Sequence, residues 1–538
     1  MQDLVIRRTP SAYDYPLLIG HLLSTLKVNH PHQQIVYADQ RRISYLEFHE
    51  RVKRLANALV DLGVQPGDTV AVMDWDTHRY LEYFFAVPMM GAVLHTINVR
   101  LSPKQVLYTI NHAQPDLIIV HQDFMPLIEE LKLEFEREII IIPIGHGEKY
   151  EDWISSSSTS FNFPEFDENR TATLFYTTGT TGDPKGVTYS HRQLVLHTLG
   201  LLAGFGSFSG DSGLHRDDVY MPLTPLFHVH GWGFPYAATM LGLRQVYPNR
   251  YDPETILRLI DSEAVTFSHC VPTVLSMLLD HPHSKKVNLS RWKVIIGGSA
   301  LSKSLQSRAS KFGIRLHAAY GMSETCPFLT VADLSSTDPD AQSQTGFPGP
   351  LVDLRVVSPN MQDVPHDGLT TGEIVVKAPW LTNGYMDNPK ASKDLWRNSY
   401  LHTGDVGYIR ENGSLQVTDR LKDVIKTGGE WISSLTLENI ASSCSNIEEV
   451  AAIGIPNEKW GERAVLVVKL LNNANPDLVR KDLMRKFREH FELGEISKWA
   501  IPDNIFFVEQ LPKTSVGKLD KKVMRKYVLT LNETNNDR

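Results

Sequence analysis

Cysteine is almost absent. Cys270, Cys326 and Cys444 are the only three in 538 residues. They stand far apart and without metal-type spacing, so neither a disulfide framework nor a cysteine zinc site is expected. Three scattered thiols read as reduced residues of a cytoplasmic protein. Long apolar runs are also lacking. The longest aliphatic stretch, Ile139–Ile144, is broken by Pro143 and falls far short of the ~20 residues a membrane helix needs. The opening stretch MQDLVIRRTPSAYDYPLLIG has neither the sustained apolar core nor the small-residue cleavage site of a signal peptide. Positive charge is not in excess: 54 Lys and Arg stand against 62 Asp and Glu, a net charge of −8. That balance argues against a general nucleic-acid or anionic-membrane surface. No internal repeat is visible.

What remains is an ordinary globular composition, 42% hydrophobic and 22% charged. At ~150 residues per domain the length corresponds to three or four domain-sized units, enough to bury a large core. Apolar residues recur at helical spacing through Arg42–Gly63, at Leu46, Val52, Leu55, Leu59 and Leu62. Strand-like Asp68–Met73 follows, then helical Tyr80–Met90, the apolar run Ala92–Ile97 and strand-like Asp116–His121. This alternation predicts an α/β fold with mostly parallel sheets. It continues through Thr173–Tyr176, Val265–Cys270, Lys293–Ile296 and Arg315–Ala318. From about 346 to 419 short β-type runs with turns predict a small β-rich subdomain. The expected division is a large N-terminal domain, 1–419, and a small α+β C-terminal domain, 420–538. The last residues, NETNNDR, read as a frayed polar tail.

The run Thr177-Thr178-Gly179-Thr180-Thr181-Gly182-Asp183-Pro184-Lys185-Gly186 follows the strand TLFY. Its glycines permit close backbone approach to an anion. Its four hydroxyls and N–H groups can donate to phosphate oxygens, and Lys185 adds a cation. It is not a Walker A loop, because Asp183-Pro184 separates the glycine from the lysine.

With the following VTYSHR, this loop resembles the adenylate-forming superfamily of acyl-CoA synthetases, luciferases and peptide-synthetase adenylation domains. The likeness runs from about residue 35 to 527, with further motifs in the expected order. Tyr320-Gly321-Met322-Ser323-Glu324-Thr325 is similar to the family's Y-G-x-[ST]-E element. The resemblance implies that Glu324 holds Mg²⁺, with Thr177 beside it. It puts Ser323 on the α-phosphate and Tyr320 on one adenine face. Gly297-Gly298-Ser299-Ala300 would line the other face. Here the chain departs from the long-chain enzymes, with Ala318 and Ala319 where a polar residue and Gly often precede the Tyr.

Asp405, in LHTGDVG, matches the ribose-binding carboxylate, and Arg420 the ribose or phosphate arginine. Lys422 matches the pivot of a mobile C-terminal domain, and Gly428 and Gly429 the strip along the CoA channel. Lys426 and Trp431 match nucleotide-site residues of the long-chain branch. Lys518, in PKTSVGKLD, matches the lysine of adenylation, which would bridge acyl carboxylate and α-phosphate. TPLFHVHGWG resembles the medium- and long-chain branch. There His228 would border the carboxylate and the thiol path, and Trp232 would gate an acyl pocket walled also by Val271, Pro272, Ala300 and Tyr320.

The resemblance thus implies an ATP-dependent ligase that makes an acyl adenylate and then an acyl-CoA, with Mg²⁺ and CoA as cofactor and co-substrate. Lys518, Lys185 and His228 would be its catalytic residues. It implies small-molecule partners, no nucleic acid, no transmembrane segment and a homodimer. Two alternatives stay open: an adenylating enzyme that loads a carrier protein, and a silent nucleotide-binding homologue.

Overall fold

The computed structural model describes residues 8–145, 149–177, 183–334, 345–427, 430–471, 474–513 and 519–536. Four sheets carry it.

The largest sheet has nine strands. Its six central strands run parallel, in the order Arg315–Tyr320, Lys293–Ile296, Phe267–Cys270, Val219–Pro222, Arg244–Tyr247 and Gln34–Tyr37. Apolar helices cover them, such as Pro253–Ser262, which buries Ile256, Leu257, Leu259 and Ile260 on one stripe. Parallel strands covered on both faces read as continuous apolar runs, which is why KVII and its neighbours were visible. The second sheet, of six strands, is parallel except for the last, Lys185–Ser190, which pairs antiparallel with Thr171–Thr177. The phosphate loop therefore closes a hairpin. It does not lead from a strand into a helix, as a Walker loop does.

The third sheet is antiparallel and is built from Asp353–Val357, Gly372–Lys377, Trp396–Arg397, Tyr400–Ile409 and Leu415–Arg420. It occupies the predicted β-rich stretch. The chain leaves it after Arg420 and enters the fourth sheet at Ile425–Thr427. That last sheet has its own apolar cluster with the helices Ser434–Ser442 and Pro476–Glu492.

Three local expectations change. The helical spacing starts at Arg42, but Arg41–Ser44 is a strand and the helix is Tyr45–Asp61. Ser44 caps it, accepting from the N–H of Glu47. Leu46 then faces solvent while Tyr45 and Phe48 face the core. The polar tail is helical as far as Asn536, within the helix Lys521–Asn536. The strand before the phosphate loop extends to Thr177. The three cysteines are free and buried.

Candidate active site

A cavity opens at the carboxyl ends of the nine-stranded sheet, where a parallel sheet presents loops to a ligand. Five neighbouring strands contribute in spatial order. Tyr320 ends the first, Gly297 and Gly298 follow the second, and Val271 the third. Thr224 and Pro225 follow the fourth, and Tyr251 the fifth. The remaining wall is mostly apolar: Leu201, Phe205, Trp232, Phe234, Val274 and Phe328. His228, Ala319, Gly321 and Ser323 also line it. Pro272 and Ala300 do not. Pro272 opens the helix Pro272–Asp280, and Ser299 and Ala300 are exposed.

At one end, Tyr320 donates its phenol proton to Asp405 Oδ2 at 2.7 Å. Arg420 Nε lies 3.4 Å from Asp405 Oδ1. Burial, with the Asp405 carboxylate beside it, holds the Tyr320 phenol well above its ordinary range. Gly321 follows, and a Cβ there would lie 1.1 Å from the Pro327 carbonyl oxygen. No other residue fits where two backbones touch.

Glu324 lies in the short 3₁₀ turn Ser323–Thr325 and is buried. Its Oε1 accepts from the Tyr385 hydroxyl at 2.6 Å. The Lys185 ammonium sits 4.6 Å from the centroid of the same ring. Lys185 is the cross-strand partner of Thr177. Lys185 and Glu324, separated in sequence, thus meet at Tyr385, and Thr177 lies across the strand pair from Lys185. Among the described residues no group of three or more His, Cys, Asp or Glu side chains could hold a metal ion. One carboxylate and a hydroxyl suit a cation held largely by substrate phosphates and water, as Mg²⁺ is.

Trp232 lines the cavity from an unusual turn. Val229, His230, Gly231, Trp232 and Gly233 all have positive φ, from 47° to 75°. The left-handed conformation costs an L-residue roughly 1–2 kcal/mol, so packing must hold it. A Cβ on Gly233 would meet the His197 ring at 2.5 Å. The indole tip rests against Gly297, where a Cβ would lie 3.0 Å from Cη2.

Lys422 stands in the turn between the third and fourth sheets. Burial, then Arg420 nearby, lowers its ammonium below the ordinary range. Its carbonyl accepts from Arg525, which also pairs with Asp423 at 2.8 Å. Lys426 is paired with Trp431 across the hairpin of the fourth sheet. Thr178, Gly179, Thr180, Thr181, Gly182, Gly428, Gly429 and Lys518 lie outside the described residues.

Sequence reading missed Tyr385 and Arg100. Arg100 is exposed at the cavity's other end, 5.0 Å from the centroid of the Tyr251 ring. Neither sits in a periodic or glycine-rich signal. Tyr385 acquires meaning only because its backbone bridges Val187.

Residues 26–386 match the family described as AMP-binding enzyme, and residues 436–518 match the AMP-binding enzyme C-terminal domain. The chain belongs to the AMP-binding enzyme family. Among curated relatives, a long-chain-fatty-acid–CoA ligase of Thermus thermophilus is 38% identical over 90% of each chain. A 3-methylmercaptopropionyl-CoA ligase of Ruegeria lacuscaerulensis is 35% identical, over 95% of this chain and 97% of its own. A medium-chain-fatty-acid–CoA ligase of Ectopseudomonas oleovorans is 33% identical over 95% of each. The solved structure of an anthranilate CoA ligase with anthranoyl-AMP superposes with a TM-score of 0.86, covering 96% of this chain and 98% of its own. At 22% identity that likeness shows the fold. This AMP-binding enzyme is an AMP-forming acyl-CoA synthetase, joining a carboxylic acid to CoA through an acyl adenylate at the expense of ATP. No described helix is long and apolar enough to cross a membrane.

Proposed function

We propose that the acid is a medium- to long-chain fatty acid. The observation that carries this is the apolar wall of Leu201, Phe205, Phe234, Val274 and Phe328 in the cavity that Tyr320 also lines. Burying a CH₂ there is worth about 0.8 kcal/mol, so each added methylene favours binding until the wall is reached. The two fatty-acid ligases among the relatives support the same reading. A short thioether acid is the second reading. The Trp232 indole against Gly297 narrows the cavity, and the methylmercaptopropionyl relative takes such an acid by its name.

In the first half-reaction the acid's carboxylate oxygen attacks the α-phosphorus of ATP, and the bond to the β-phosphate breaks to release pyrophosphate. Thr177–Gly182 and Lys185 hold the departing phosphates. Asp405 and Arg420 hold the ribose, while Tyr320, Ala319 and Gly298–Ser299 bracket the adenine. Glu324 and Thr177 would hold Mg²⁺, which when bound neutralises phosphate charge. Lys518 bridges carboxylate and α-phosphate. The N-terminal unit, 1–419, then keeps the adenylate while the unit from 420 turns about Lys422. That motion withdraws Lys518 and brings Gly428–Gly429 to the thiol path. In the second half-reaction the CoA thiolate attacks the acyl carbon past His228, and AMP leaves. The same resemblance supports a cytoplasmic homodimer, which light scattering tests.

A panel of acids from C2 to C18, with thioether, branched and aromatic members, tests the reading by CoA-dependent AMP formation. The C8–C16 acids are expected to exceed acetate at least tenfold in kcat/KM, and a maximum at short thioether or aromatic acids overturns it. The two-step division is tested by Lys518→Ala. It is expected to lose adenylate formation yet convert supplied acyl adenylate to thioester. Full ATP–pyrophosphate exchange in that variant sinks the assignment.

A further inference from the structure

Tyr385 sits where the phosphate hairpin meets the turn that carries Glu324, and none of the motifs assigns it a role. Its backbone bridges Val187 in the strand Lys185–Ser190. Met386, the next residue, donates its N–H to the Gly186 carbonyl at 2.9 Å. A little earlier in the same segment, the Thr382 N–H donates to the Glu324 carbonyl at 3.0 Å. The Thr382 hydroxyl donates to the Thr188 carbonyl at 3.2 Å. Residues 382–386 therefore pin the hairpin and the Glu324 turn together through the main chain.

The Tyr385 side chain repeats that link. Its hydroxyl donates to Glu324 Oε1 at 2.6 Å, and its ring lies under the Lys185 ammonium at 4.6 Å. A phenol bound to a carboxylate fixes which way the carboxylate faces, and groups that orient a metal's ligand tune its hold on the metal. An aromatic face attracts an ammonium without neutralising it, so the charge stays available to phosphate.

We propose that Tyr385 is a positioning residue that sets Lys185 and Glu324 at a fixed separation and so aligns the ATP phosphates with their cation for adenylation. This rests on the reading that Glu324 faces Mg²⁺. Tyr385→Phe keeps the ring under Lys185 and removes only the hydrogen bond to Glu324.

The experiment is a calorimetric titration of the full chain with ATP, once in excess Mg²⁺ and once in chelator, alongside rates of the two half-reactions. Tyr385→Phe is expected to bind ATP in chelator as the natural chain does. It should lose about tenfold of the affinity that Mg²⁺ adds. Adenylate formation falls with it, and conversion of supplied acyl adenylate to thioester is unchanged. An undiminished Mg²⁺ gain overturns the proposal. So does an equal loss in both half-reactions with or without Mg²⁺, which marks a folding role alone. Glu324→Gln runs in the same titration. If it too keeps the whole Mg²⁺ gain, the reading of Glu324 fails and the proposal falls with it. If Glu324→Gln loses the gain while Tyr385→Phe keeps it, only the positioning role is lost.

Discussion

Tyr320 and Asp405 meet across two sheets. The phenol at the end of Arg315–Tyr320 donates a 2.7 Å hydrogen bond to a carboxylate in Tyr400–Ile409, a strand of the antiparallel sheet. The bond joins the parallel core to the β-rich sheet beside the cavity that Tyr320 lines. The carboxylate is thus oriented from both sides, with Arg420 on its other oxygen, which suits the ribose-holding role proposed for it.

Tyr320→Phe keeps the ring and frees Asp405 on one side. Hydrogen bonds to charged groups contribute about 1.5–3 kcal/mol. The KM for ATP is expected to rise roughly tenfold, with a smaller change in the rate at saturation. Initial rates over an ATP series check this, and an unchanged KM refutes it.

Gly321→Ala cannot be accommodated as the chain stands, because the new methyl would lie 1.1 Å from the Pro327 carbonyl oxygen. The backbone must separate there, and a loss above ~3 kcal/mol is expected, at the large end for single substitutions. Gly206→Ala is the control. That glycine ends the helix His191–Gly206, and a Cβ there meets nothing within 4 Å. The change should be neutral or stabilise by about 0.5–1 kcal/mol. Paired urea unfolding curves decide between them.

Stability should fall in acid. Burial lowers the imidazoles of His197, His230 and His269 to about 3 each. Between about pH 3 and their unfolded value near 6.5, the unfolded chain binds protons that the folded chain refuses, so stability rises with pH. It is fully present above that window and is lost as pH falls through it. Asp76 acts the other way. Burial raises its carboxyl to about 7, so its share declines as pH climbs from about 4 to 7. Three imidazoles outweigh one carboxyl. Both nitrogens of His230 lack a partner among the described residues, and Phe84, Phe175 and Tyr189 surround the ring. His230→Phe should therefore cut the slope by about one proton, near 1.4 kcal/mol per pH unit. Urea midpoints between pH 4.5 and 7.5 measure it, and an unchanged slope contradicts it.

Much of the fold was legible in the sequence, for a local reason. Strands buried on both faces must be continuously apolar, so KVII and DLIIVH were recognisable from a few residues. Motif glycines were legible because only glycine permits such contacts, as the Gly321 backbone against Pro327 shows. The start of the first long helix was misread because apolar spacing does not register a cap. Ser44 decides it, and Leu46 at the right period still faces water.

By itself the sequence determined the family, through the non-Walker loop TTGTTGDPKG and the motifs YGMSET, LHTGDVG and PKTSVGKLD, from which the proposed roles of Glu324, Asp405 and Lys518 follow. Each is written in adjacent residues, because close approach of backbone to ligand is a local demand. Only the tertiary structure decided what orients them. Tyr385 reaches Glu324 and Lys185 because a later segment adds itself to the edge of the phosphate hairpin. Tyr320 finds Asp405 because two sheets abut. Such pairings depend on sheet order and register, and these are settled by the packing of the whole core.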